Sequence, residues 1–450
     1  MVTYLAGTAR RKWPLTGMRD TTSPLEETVF ETLADTSSDG GISQSVAKDE
    51  ARNFVRHTAS LGLTKTADGL IDPKLVLSWL LTHLGAPAYL VGLLVPVREA
   101  GALLPQLFSA PYIRAMARRK WAWAAGSAVQ GVSAAVIALA GLWLEGALAG
   151  VVIVTALTAL ALGRSVCSVS YKDVLGKTIG KSRRGTVTGT ASSIASVAVM
   201  LFAAALLVGV TDRLVLVLAA ITLAAAFWMT ASALFVTLTE DNTPSDTPEH
   251  ALADALGQMR LLSEDRQLRL FIWTRGLLVG TALAPPFLVL LASGAAEAAF
   301  SQLGAMVLAS SLAAFLSSYV WGRLADVSSK GVLTLSGVSA ALALGLALVL
   351  DALGLFGTVW AAPVTLFLLM IAYNGVRQGR STHLVDMAPD DQRAAYTAVS
   401  NTVIGLVLMG AGVFGAIASS YGPAWTIGLF ALMSVAGALV SLRLKEVQSS

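Results

Sequence analysis

The sequence predicts an all-α polytopic membrane protein, with twelve transmembrane helices arranged as two pseudo-symmetric six-helix halves. Three observations predict it. The chain is 55% hydrophobic and only 13% charged, whereas soluble domains run at about 45–50% apolar and about 25% charged. Apolar runs of roughly 20 residues recur along most of its length, each long enough to cross a bilayer core about 30 Å thick. Most of the 32 Lys and Arg residues then fall on one side of the alternating path these runs define, as expected when basic loops stay cytoplasmic.

The spans are helices rather than strands. Membrane strands alternate apolar and polar residues in segments of about ten, whereas Ala134 to Trp143 and Leu214 to Phe227 are apolar on nearly all sides. They are expected near 55–81, 88–112, 121–143, 147–170, 186–209 and 213–237, then near 267–292, 297–321, 332–350, 357–376, 394–420 and 424–442. We number them spans 1 to 12.

Residues 1–54 read as a cytoplasmic, largely disordered tail, with a basic patch at Arg10, Arg11 and Lys12 and an acidic stretch from Glu26 to Asp39. No charged-then-apolar segment with a small-residue cleavage site opens the chain, so no removable signal peptide is expected. The N-terminal half covers 55–237, a cytoplasmic linker 238–266, the C-terminal half 267–443 and a short cytoplasmic tail 444–450. Within the linker, Thr247 and Pro248 suit a helix start, and Leu252, Leu256, Met259 and Leu262 recur at helical spacing. That pattern predicts a short amphipathic helix on the membrane surface.

Span 1 is the difficult one, because Lys65, Asp68, Asp72 and Lys74 precede its apolar end. A span starting after Lys74 would hold only Leu75 to Leu81 before Thr82, His83 and Gly85, far short of the roughly 17–25 residues required. Taking 75–95 as one helix leaves too little chain for another crossing before Arg114 and breaks the parity of the basic loops. The four charges are therefore placed inside span 1.

The halves repeat. "KSRRGTVTGTASSIAS", Lys181 to Ser196, lies on "DDQRAAYTAVSNTVIG", Asp390 to Gly405, with Arg184 on Arg393. The loops after spans 2 and 8 match as well. The second of them, "GRLADVSSKGV", carries Gly322, Leu324, Ala325, Asp326 and Lys330. It resembles the signature loop of the major facilitator superfamily, G-x-L-A-D-x-x-G-[RK]-[RK]. The first, "APYIRAMARRK", keeps the basic end at Arg118, Arg119 and Lys120 but has Arg114 where the acid would stand. The resemblance covers about 55–443. It implies a secondary transporter whose halves rock around a central cavity lined mainly by spans 1, 4, 7 and 10, with the signature-loop residues serving the cytoplasmic gate.

Charges inside a membrane are costly, about 2.5–3.5 kcal/mol each at mid-helix, so they should face protein or water. Lys65, Asp68 and Asp72 stack on one helix face. Lys65 and Asp68 are expected to pair, leaving Asp72 the better candidate to carry a proton or hold a cationic group, beside a bend at Pro73, with Asp68 the alternative for proton coupling. The alternative is a self-neutralised packing cluster. Arg98 and Glu99 are expected to find structural partners. Arg164, Arg275 and Arg377 fall on or beside the spans that the resemblance assigns to the cavity, and with Lys65 are candidates to hold an anionic group through paired hydrogen bonds. For Arg377, placed just past span 10, a cytoplasmic gate role is the better reading.

Other signals are discounted. "GAGVFG", Gly410 to Gly415, lies inside an apolar helix and reads as small-residue packing rather than a dinucleotide turn, and the pair Gly185 and Gly189 is read the same way. The four histidines are scattered without metal spacing, and the lone cysteine, Cys167, is read as packing. No phosphate loop or nucleophile elbow appears, so no cofactor and no enzyme activity are expected. Basic residues are accounted for by membrane orientation, which leaves no argument for nucleic acid. The expected partners are the lipid bilayer, a small solute and protons. Drug or metabolite efflux, and a non-transporting membrane sensor, stand as the alternatives.

Overall fold

A computed structural model describes residues 24–33, 48–180, 183–209, 211–242, 257–293, 302–389 and 392–448. These residues fold into helices joined by short connections. The basic patch at residues 10–12, the first part of the predicted linker helix and the predicted start of span 8 lie outside the described residues.

Nine helical segments among the described residues are long and apolar enough to cross a membrane, and they correspond to spans 3 to 9, 11 and 12. Three more occupy the places of spans 1, 2 and 10, which is consistent with twelve. Span 1 runs as Glu50–Leu70 and Val76–His83, span 2 as Ala88–Leu103 and Pro105–Ala115, and span 10 as Ala361–Met387. In span 1, Asn53, His57, Ser60 and Thr64 are all buried.

Several helices outrun their apolar cores. Span 4 extends as Gly146–Thr178 and span 10 continues to Met387. Arg377, expected just past span 10, is therefore inside the helix. Its predicted end followed the loss of apolar residues, but the helix continues to Met387 while turning polar. The N-terminal tail also contains a helix, Pro24–Leu33, whose Phe30 meets Phe54 edge-on at 5.4 Å.

The two halves repeat the same packing. In the first, span 3 packs on spans 4 and 6, span 1 on spans 5 and 6, and span 2 on span 4; in the second, span 9 packs on 10 and 12, span 7 on 11 and 12, and span 8 on 10. Each relation is carried over by adding six. Between the halves, span 2 (Ala88–Leu103) meets span 11 (Arg393–Gly410 and Gly412–Tyr421), and span 5 (Arg184–Val208) meets span 8 (Leu303–Val327).

These cross-contacts gather on the side away from the termini. A Cβ on Gly92 would stand 2.5 Å from the Cα of Gly415, and one on Gly304 would stand 2.8 Å from the backbone of Leu207. Backbones that close need glycine, which accounts for Gly415 in the apolar motif, while Gly412 faces the Leu93 side chain. The last piece of span 1 also packs on Pro285–Ser293 of span 7. On the termini side the same spans part. A Cβ on Gly185, Gly189 or Gly322 would meet nothing within 4 Å. Gly185 and Gly189 are thus not packed, contrary to the expectation.

Candidate functional site

The site begins with the break in span 1. Pro73 has no N–H and disfavours a helical conformation at Asp72, so the first piece ends at Leu70. The Asp72 carboxylate accepts a hydrogen bond from the Lys74 backbone N–H at 2.6 Å, and the Asp72 carbonyl then accepts from Val76 and Leu77 at 2.9 and 3.1 Å, restarting the helix. The Ser78 hydroxyl donates to the Pro73 carbonyl at 2.8 Å. Most of the polar backbone freed by the break is satisfied locally.

Lys74 leaves that break and reaches the other half. Its Nζ lies 3.7 Å from the centroid of the Tyr373 ring in span 10, buried at 9% exposure. This contact joins spans 1 and 10 across the two halves.

Asp68 is held differently from the expectation. It takes Arg98 of span 2 at 2.7 Å and Arg164 of span 4 (Gly146–Thr178) at 2.9 Å, rather than Lys65. Lys65 turns toward span 5, donating to the Ser192 hydroxyl and, at 3.4 Å, to the Thr188 carbonyl. The reason is angular: Lys65 shares its face with Gly62 and Gly69, both of which pack on span 5, while Asp68 faces spans 2 and 4. Lys65 nonetheless stays within electrostatic reach of Arg164, Arg377 and Asp68.

Arg275 in span 7 (Arg266–Leu278) is buried and donates to Ser400 and Asn401 of span 11 at 2.8 and 3.0 Å. That position is away from the cluster at Lys65. Glu99 is half-buried and within electrostatic reach of Asp72, Lys74 and Arg275.

The gate candidates divide by half. In the first, the Glu240 carboxylate beyond span 6 (Arg213–Val236) accepts from the backbone N–H groups of Arg119 and Lys120 at 3.1 and 2.9 Å, at the N-terminus of span 3. An acid there also complements the helix dipole. Lys120 donates to the Val236 and Leu238 carbonyls, Arg119 pairs with Asp173 at 3.2 Å, and Arg118 is exposed. These residues tie spans 3, 4 and 6 of one half together. In the second half, Asp326 is exposed, Lys330 half-exposed and Gly322 unpacked; the equivalent of Glu240 is Glu446, which accepts from the Ser328 hydroxyl at 2.5 Å. Glu240 was missed in the sequence, although an acid just past the last span of each half was a readable signal.

Cys167 is buried, donating to the Trp123 carbonyl at 3.3 Å. Among the described residues, no group of three or more His, Cys, Asp or Glu residues is placed to hold a metal ion.

No family model matches the chain, and no curated protein matches it. Solved structures do. A POT family transporter in complex with 5-aminolevulinic acid superposes with a TM-score of 0.66 at 11% identity, over 87% of this chain and 95% of that one. The nucleoside transporter NupG gives 0.64 at 14% identity, over 87% and 98%. A D-xylose-proton symporter gives 0.63 at 12% identity, over 88% and 98%. At these identities the likeness establishes the fold: this chain has the polytopic, two-half architecture of those membrane transporters, as the resemblance to the major facilitator superfamily implied.

Proposed function

We propose that the protein is a secondary active transporter that moves a small polar or anionic solute by alternating access, coupled to protons. The observation that carries this reading is the span 1 break. Lys74, two residues from Asp72, reaches Tyr373 of the other half there, and the halves meet on the far side. A two-half bundle with ionisable groups near the contact between its halves has what alternating access needs. Transport by the structural neighbours, one of them a proton symporter by description, supports it.

In this reading the termini and the connection between the halves are cytoplasmic, the space between the halves on that side is the inward-facing cavity, and the protein lies in the cell membrane. Asp72 is the proton carrier in preference to Asp68, which is already paired with Arg98 and Arg164. Arg118, Arg119 and Lys120 stiffen the N-terminal half, while Gly322, Asp326 and Lys330 stand ready to meet it when the cytoplasmic side closes. The protein is not an enzyme, and its partners are lipid, solute and protons.

The test is reconstitution into vesicles loaded with a pH-sensitive dye, comparing wild type with Asp72→Asn across solute pools. Solute-dependent proton flux that disappears in the variant is the expected result. No flux with any pool, under a proton gradient of either sign, contradicts proton-coupled transport.

A further inference from the structure

The polar groups facing the centre of the bundle are not balanced. Span 10 has two functional faces. Gly375 and Gly379 press on spans 8 and 9, where a Cβ on Gly379 would stand 3.0 Å from Val332, and the Trp321 indole donates to the Ile371 carbonyl at 2.9 Å. Residues two positions away from these point to the opposite side, since each step on a helix turns about 100°. Those are Tyr373 and Arg377. Tyr373 confirms the direction through its contact with Lys74 of span 1, so Arg377, one turn nearer the termini, faces span 1 as well.

Arg377 is exposed and lies within electrostatic reach of Lys65. No carboxylate among the described residues pairs with either of them, whereas Asp68 is shared by Arg98 and Arg164. Beside Tyr373, the Asn374 side-chain nitrogen is buried with no hydrogen-bond partner. Lys65, Arg164, Arg377 and the Asn374 amide thus offer donors and positive charge from both halves, with Asp68 already paired to Arg98 and Arg164.

We propose that this is the solute site and that it takes an oxyanion: Lys65 and Arg164 from the first half and Arg377 with Asn374 from the second grip a carboxylate or phosphate group of the solute. This rests on the transporter reading and narrows its solute class. It also moves Arg377 from the gate to the site. A planar guanidinium suits both oxyanions through two parallel hydrogen bonds. Because the donors come from both halves, binding draws the halves together on the termini side, which links solute capture to closure.

Binding is measured by calorimetry on the purified full chain in detergent, with succinate and methyl phosphate as probes and erythritol as a neutral control. At least one oxyanion probe is expected to bind, erythritol is not, and Arg377→Gln weakens binding about tenfold or more while Arg377→Lys retains part of it. Lys65→Gln is the second variant, and unchanged thermal unfolding shows that each remains folded. Preference between the probes tells a carboxylate from a phosphate solute. Oxyanion affinity untouched by both variants overturns the proposal, as does failure of both probes. The two readings fail separately: vesicles that move a neutral solute equally well with Arg377→Gln remove the oxyanion site and keep transport, whereas oxyanion binding without movement of any solute removes transport and keeps the site.

Discussion

The two halves share a packing plan but spend their charges in opposite ways. In the N-terminal half, ion pairs join one span or loop to another: Arg98 and Arg164 to Asp68, Arg119 to Asp173, Lys177 to Glu240 and Arg183 to Glu50. In the C-terminal half the corresponding ties are hydrogen bonds, as from Ser328 to Glu446, between Ser329 and His383, and from Arg275 to Ser400 and Asn401. One half is cross-braced by charge. The other keeps Arg323, Asp326 and Arg377 exposed. A repeat therefore preserves helix packing more faithfully than electrostatics, and the charges left open mark the half that has something still to meet.

The largest effect expected from this contrast is at Glu240, whose side chain is fully buried beside Lys177. Glu240→Ala removes a buried anion from two backbone N–H groups and a lysine, and should cost about 3–5 kcal/mol in thermal or denaturant unfolding. The equivalent Glu446→Ala, at an exposed site, should cost less than about 1 kcal/mol. Equal losses would erase the distinction between the halves.

Next comes Asp68→Asn, which leaves Arg98 and Arg164 without their anion. The three side chains keep 14–28% exposure, so partial screening brings the expected loss to about 2–3 kcal/mol. Arg98→Gln in the same background should restore part of it, read as a double-mutant cycle.

Smaller again is the packing contrast between the two sides. Gly92→Leu drives a side chain into Gly415 and should destabilise by about 1–3 kcal/mol. Gly189→Leu enters open space and should change stability by less than about 0.5 kcal/mol. Its effect should appear instead as slowed solute movement in vesicles, because that face must pack when the termini side closes.

Much of this was legible in the sequence because the bilayer imposes one long-range rule on local composition. Apolar run length and basic-loop parity placed the spans, the offset between Arg184 and Arg393 revealed the repeat, and Pro73 beside Asp72 marked the break. Partnerships were not legible. Asp68 chooses Arg98 and Arg164 over Lys65 through helix rotation and neighbour placement, which spacing within one helix does not contain. Arg377 was misplaced for a related reason: span 10 turns polar around Arg377 while staying helical to Met387, and a hydropathy window reads that as a helix end. The position of Glu240 was visible; its burial under the start of span 3 was not.

The central claim is that the termini side and the far side open in alternation. It is tested most directly by spin-label distances in a Cys167→Ala background, with one pair at Met116 and Val327 near the termini side and another at Trp143 and Trp425 on the far side, all exposed positions. On adding a solute that the vesicles take up, the first distance should shorten while the second lengthens. Two distances that stay fixed, or that move in the same direction, would contradict the account.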